Sequence, residues 1–217
     1  MLKNMLVVFS LLLGSLLFAQ TSTSPSPSGS TPPLIILIGP PLSGKTTFVG
    51  SITTTYGIPA ISIEDLIKDN AAELERLRGE KSMAEMRFDP AMSRYLKDRL
   101  KTADLSHGLA LDGYPTTLVQ AEDLAKILPE LKLSPIAFQI KVPDGVIRAR
   151  AKKSGQESNR PQILDQRIKD YHREMDSISS YFPEARIVPV NGNQSELNVW
   201  KAIRTGLEGA GIKPVSK

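Results

Sequence analysis

From Leu34 onward, short wholly apolar runs alternate with longer stretches whose apolar residues recur every three or four positions. The first run, Leu34-Ile35-Ile36-Leu37-Ile38, is apolar throughout, as expected of a central parallel strand buried on both faces. Helical sequence follows to Tyr56, and Ile58 to Ile63 predicts a second short strand. Ser62 and Asp65 then form a Ser-x-x-Asp capping box that opens a helix through Leu66 and Ile67. Pro90 falls in the first turn of a further helix, with Met92, Tyr95, Leu96 and Leu100 on one face. Leu109 to Asp112 predicts the third strand, Ile136 to Ile140 the fourth and Ile187 to Val190 the fifth. Pro189 has no N–H to give a ladder, which assigns the last strand to an edge. Between the final two strands, Leu164, Ile168, Tyr171, Met175, Ile178 and Phe182 make one helical stripe, expected to be core and nothing more. Such alternation predicts an α/β fold, with a parallel sheet, helices on both faces and ligands at the carboxyl ends of the strands.

The first 33 residues follow neither period. Lys3 precedes an apolar stretch from Met5 to Phe18, broken only by Ser10, Gly14 and Ser15, that reaches Leu17-Phe18-Ala19. At about 14 residues it is short for a membrane span, which needs roughly 20, and fits the apolar region of a signal peptide over residues 1–19. An uncleaved anchor or a mis-assigned start codon are the alternatives. Cleavage implies an exported, periplasmic protein with no stable membrane span. Residues 20–33 are a Ser/Thr/Pro/Gly tract that cannot bury apolar area, expected to be a disordered linker to a domain spanning 34–217.

Composition narrows the chemistry. A chain of 217 residues that is 41% hydrophobic can fill one α/β domain. The absence of cysteine removes disulfides, thiolate zinc sites and cysteine nucleophiles. A net charge of +4 without a long basic run does not suggest nucleic acid as a partner, and a site for several nucleotide phosphates explains part of the excess equally well.

Gly39, Pro40, Pro41, Leu42, Ser43, Gly44, Lys45 and Thr46 match G-x-x-x-x-G-K-[ST] in full, directly between a buried strand and a helix. Glycines let backbone amides approach phosphate oxygens, and the helix N-terminus adds its positive end. Lys45 can reach the β- and γ-phosphates, the Thr46 hydroxyl is placed to ligate Mg²⁺, and Thr47 is assigned with them to nucleotide binding. A Gly-rich turn with a solvated lysine is the structural alternative. Asp112, closing an apolar strand, can hold Mg²⁺ through water; the alternative is a turn residue before Gly113.

These residues bring in a family. The P-loop, Gly57-Ile58-Pro59-Ala60-Ile61-Ser62, Leu111-Asp112-Gly113-Tyr114-Pro115 and Val142-Pro143-Asp144 together resemble adenylate kinases and related nucleoside monophosphate kinases from Leu34 to about Leu207. The resemblance implies a P-loop three-layer sandwich with a five-stranded parallel sheet. It also implies a helical flap over the monophosphate (about Ser62 to Arg87) and a short lid near Lys152 to Pro161. The expected activity is reversible transfer of the ATP γ-phosphoryl group to a nucleoside monophosphate, AMP favoured, with Mg²⁺, by a monomer.

Carried over residue by residue, the resemblance assigns Lys45, Arg167 and Asp112 to catalysis and Thr46 and Asp112 to the metal. Arg150 matches a position near the adenine of ATP, and Gly192 a segment whose backbone contacts it. Ser62, Lys68, Asp112, Gly113, Tyr114, Thr116 and Gln120 fall on the monophosphate side, with Gln120 where the family's glutamine reads the base. The departures concern charge. Thr116 stands where the family carries an arginine that holds the monophosphate and the transferring group. The flap's Thr-Gly-Asp becomes Ile63-Glu64-Asp65, and the arginine three residues later becomes Lys68, which loses the bidentate fork. Leu42 replaces a usual glycine. The lid's Arg-x-Asp-Asp aligns with residues 156–159, leaving Arg160 to substitute and Lys152 and Lys153 as further cations or plain surface charge.

Three functions are therefore open: a kinase of adenylate kinase type, slowed by Thr116; a nucleotide-binding module without useful transfer; and a small-molecule kinase of related fold. Export conflicts with the first, since ATP is scarce outside the cytoplasm.

Overall fold

The computed structural model describes residues 31–81, 85–155, 160–180 and 187–215. The signal-like segment 1–19, linker positions 20–30, Phe182 and the lid element 156–159 lie outside the described residues.

Strand β1 (Pro33–Ile38) starts the fold, one residue ahead of the predicted run, and leads through the P-loop into helix α1 (Lys45–Tyr56). Strand β2 (Ala60–Ser62) is shorter than predicted, because the chain turns helical at Ile63. The capping box is the reason. Ser62 Oγ accepts from the Asp65 amide at 2.9 Å and Asp65 Oδ2 accepts from the Ser62 amide, so helix α2 (Ile63–Asp69) begins immediately. Helix α3 (Ala71–Leu77) and a 3₁₀ turn (Glu85–Phe88) complete the flap, pinned to the core by the fully buried Leu74 and Met86.

Helix α4 (Ala91–Leu100) buries the four predicted residues, with Pro90 just ahead of it as the cap. Strand β3 (Leu109–Asp112), helix α5 (Leu118–Leu131), strand β4 (Ser134–Lys141) and helix α6 (Asp144–Ser154) follow. Helix α7 (Pro161–Ser180), strand β5 (Ile187–Asn191) and helix α8 (Glu196–Gly209) close the chain.

The sheet is parallel with order β2-β3-β1-β4-β5, so β5, with Pro189, is an edge strand as expected. Strand β1 pairs with β3 on one side and β4 on the other, and its side chains alternate between two cores. Leu34, Ile36 and Ile38 join α2, α4 and α5; Ile35 and Leu37 join α1, α6 and α8. That alternation explains why every position of the run is apolar. Crossovers from β1 run in both directions along the sheet, which puts the P-loop at a topological switch point. In register, Asp112 lies beside Leu37 on one flank and Ser62 on the other, so three predicted site segments end at one edge.

The stripe on α7 departs from expectation. Leu164 and Ile168 belong to the α1/α6/α8 core, whereas Tyr171, Met175 and Ile178 pack with the opposite one. Helix α7 thus serves both layers and contacts both α5 and α6. Among the described residues no helix is long and apolar enough to cross a membrane.

Helix α8 sits on the sheet at Gly206, where an added Cβ would come within 2.5 Å of the buried Phe138 ring. Alanine gains about 1 kcal/mol of helix propensity over glycine, but overpacking costs about 1–3 kcal/mol. Gly206→Ala is therefore expected to lower the urea midpoint of unfolding; an unchanged or raised midpoint would show that Phe138 can move aside.

Candidate active site

The P-loop is held by its own lysine. Lys45 Nζ donates to the Gly39 carbonyl at 2.7 Å, the Pro40 carbonyl at 2.9 Å and Ser43 Oγ at 3.3 Å. Gly39 is required sterically, because a Cβ there would lie 2.8 Å from both the Ile140 carbonyl and Ser43 Oγ. Gly44 adopts φ 92° and Leu42 adopts φ 59°, so the position where the family has glycine is left-handed here despite a side chain. That costs about 1–2 kcal/mol. A clamp holds the strained residue: Arg150 Nη1 donates to the Leu42 carbonyl at 2.9 Å and Nη2 to the Gly192 carbonyl at 2.8 Å. Three residues assigned to the donor nucleotide, Leu42, Arg150 and Gly192, are thereby joined.

Beside the loop, the Asp112 carboxylate is buried within the electrostatic reach of Thr46 and Lys45. Burial pushes the Asp112 pKa up, and Thr46 and Lys45 oppose that shift. A hydroxyl and a carboxylate side by side at the P-loop are a hard-oxygen donor set suited to Mg²⁺. Burial likewise lowers the Lys45 pKa to about 8; Asp112 partly restores it, while Arg167 and Arg87 depress it further.

A cleft opens from the P-loop towards the flap. Gly39, Pro41, Lys45, Gly113, Thr116 and Arg167 line it, so six of the predicted residues meet there. Burial weakens the hold of Arg167 on its proton, Arg87 adds to that effect, and Glu64 opposes it. Other predicted residues lie elsewhere. Ser62 caps α2 and Lys68 is exposed on its last turn. Tyr114 is buried, its hydroxyl 3.1 Å from Ser93 Oγ and donating to the Gln120 carbonyl, with its pKa pushed up to about 12 by burial. Gln120 is fully buried with its carboxamide occupied: Oε1 accepts from the Thr116 amide and hydroxyl, and Nε2 donates to the Arg87 carbonyl at 2.8 Å. In this conformation it makes structural bonds at the site where the family reads a base.

Sequence reasoning missed Arg87, Phe88 and Glu174, all of which line the cleft. It also read Tyr171, Met175 and Ile178 as core alone, whereas they form the apolar wall of the same cleft. Their helical spacing is that of any core stripe, so only the path of α7 across the layers reveals the second role. Glu174 carried a signal that periodicity does not weigh, a carboxylate on the stripe's flank. Its Oε2 accepts from the Leu118 amide at the start of α5.

The adenylate kinase family model matches residues 37–187, covering the P-loop, the flap, Asp112 and Arg167. The chain belongs to the adenylate kinase family. It is 32% identical to the adenylate kinase of Micrococcus luteus over 163 residues, 71% of this chain and 80% of that one. Over 121 residues it is 37% identical to the adenylate kinase of Methanosarcina acetivorans, covering 54% and 56% of the two chains. That of Brucella abortus is 28% identical over 173 residues, 71% and 89%. Phosphoryl transfer between nucleotides, the chemistry of adenylate kinases, is thus the general activity to which this cleft belongs.

The lowered Lys45 pKa has a signed consequence. Phosphate binding needs the ammonium form, which the free protein loses as pH rises through about 8. ATP affinity in metal-free buffer is expected to be flat below that pH and to fall up to about tenfold per pH unit above it. Isothermal titration between pH 7 and 10 measures this, and Lys45→Met should abolish the slope. A pH-independent affinity in the unmodified protein would mean that Lys45 keeps its proton throughout.

Proposed function

We propose that the protein transfers the γ-phosphoryl group of Mg·ATP to a nucleoside monophosphate, with AMP as the favoured acceptor. The observation that carries this is the single cleft in which the P-loop lysine, Arg167 and the Gly113–Thr116 segment face one another. Phosphoryl transfer asks the protein for alignment and charge stabilisation rather than covalent chemistry. Lys45 exchanges loop oxygens for phosphate oxygens, and Arg167 faces the transferring group from α7. Thr46 and Asp112 would hold magnesium, which when bound neutralises charge on the β- and γ-phosphate oxygens. The apolar wall of Phe88, Tyr171, Met175 and Ile178 keeps water from the transfer path, so that ATP is not simply hydrolysed.

Thr116 supports a second reading, a nucleotide-binding module with weak transfer or none, because a lost arginine at such a site costs about 10³ to 10⁵ in rate. A coupled assay with Mg·ATP and each monophosphate in turn separates the two. Transfer to AMP, reduced at least about a hundredfold by Lys45→Ala, is the expected result. Tight ATP binding with no transfer to any monophosphate would leave the binding module as the function. We propose export as well, on the strength of residues 1–19: mass spectrometry of the mature protein should find an N-terminus near Gln20, and an intact Met1 would rule this out.

A further inference from the structure

Thr116 leaves the acceptor side without the family's arginine, and the flap brings a different one to the same place. Arg87 lies in the 3₁₀ turn and lines the cleft together with Lys45, Gly113, Thr116 and Arg167. Its main chain is fastened to the position in question. The Thr116 hydroxyl shares its one proton between Gln120 Oε1 at 2.9 Å and the Arg87 carbonyl at 3.1 Å, and Gln120 Nε2 donates to that carbonyl at 2.8 Å. The guanidinium therefore springs from backbone bonded to the very side chain that replaces the family's arginine.

Its counter-ion is equally out of pattern. Arg87 Nη2 donates to Glu64 Oε1 at 2.6 Å, and Glu64 stands where the family's flap has glycine. The Arg87 side chain is 19% exposed and that of Glu64 58%, so the carboxylate is the solvated member. The Glu64 carboxylate also reaches over Gly113, at the base of the acceptor segment. Lys45, Arg87 and Arg167 crowd one cleft closely enough that Arg87 weakens the hold of both others on their protons. Such crowding of like charges is relieved by a polyanion placed between them.

The geometry points to Arg87 as the cation that binds the acceptor phosphate, taking over from position 116, with Glu64 as an exchangeable counter-ion that holds the guanidinium until the phosphate arrives. The inference rests on the kinase reading of the cleft and names the residue that makes transfer feasible despite Thr116. Arginine suits the task, because its fork engages two phosphate oxygens at once. The acidic partner of the pair is mostly solvated, so the pair itself contributes little to stability.

The test uses the full-length protein, with AMP and ATP titrated separately by calorimetry and transfer rates measured alongside. Arg87→Ala should weaken AMP binding about tenfold or more and lower kcat about a hundredfold, with ATP affinity nearly unchanged. Adding Thr116→Arg to that variant should recover most of both losses, because it restores a fork to the same locus. Glu64→Gln should bind AMP at least as tightly as the unmodified protein, since the guanidinium no longer has to leave a carboxylate. AMP affinity unaffected by Arg87→Ala would overturn the inference. So would a Glu64→Gln variant as impaired as Arg87→Ala, which would make the pair merely structural. If the unmodified protein binds AMP through Arg87 yet transfers nothing, the kinase reading fails and this inference stands.

Discussion

Strand β1 hydrogen-bonds to β3 on one side and β4 on the other, and that double pairing fixes everything at the carboxyl edge. A strand with neighbours on both flanks and helices on both faces has no solvent to satisfy its amides, so it must be apolar, continuous and locked in register. Locked register is what sets Asp112 level with Leu37 and Ser62, and hence brings the magnesium-suited carboxylate beside the loop that begins at Gly39. Because the chain leaves β1 in one direction and returns on the other side, the loop opens into a crevice rather than onto a flat edge. The chemistry of the cleft is a consequence of where one strand sits.

Charge is the second constraint. Burial alone disfavours the ionised forms of Lys45, Asp112 and Arg167, and each of them is shifted in that direction. Opposite charges limit the cost without cancelling it. Lys45 gains from Asp112, and Arg167 from Glu64. The cleft is poised for a ligand with more negative charge than its own carboxylates supply, which is what the triphosphate and monophosphate of the proposed reaction would provide.

How far the sequence showed this depended on the range of the interaction. The β1 run, the capping box at Ser62 and Asp65, and the P-loop are local, set by neighbours within a few residues, and each was legible. The end of β2 was misplaced because Ile63 is apolar and β-branched, yet its conformation is decided by the Ser62 cap. The family resemblance located Lys45, Asp112, Thr116 and Arg167, and all but the buried Asp112 line the cleft directly. Arg87 was not legible, because it reaches Thr116 across 29 positions of chain and its neighbours form no motif. Gln120 marks the opposite limit. Its identity matched the family, but the bonds its carboxamide makes to Thr116 and Arg87 exist only in the folded chain.

The two halves of the cleft are held by different means, and the difference bears on how transfer avoids hydrolysis. On the donor side Lys45 and Arg150 bind loop carbonyls and keep even the left-handed Leu42 in place. A loop already held in one conformation loses little ordering free energy when a ligand binds. On the acceptor side the main chain is fastened as well, by Leu74, Met86 and the bonds to the Arg87 carbonyl, and what is left to exchange is a side-chain contact. Ser62, Asp65 and Glu64 open α2, and its tie to Arg87 is an ion pair whose acidic partner is mostly solvated. A contact of that kind contributes little to stability, whereas the donor loop is already formed. On the proposed function, ATP would enter a finished pocket while the acceptor wall still responds to the incoming phosphate. Coupling the wall's response to the acceptor would keep the cations from being fully assembled around ATP and water alone.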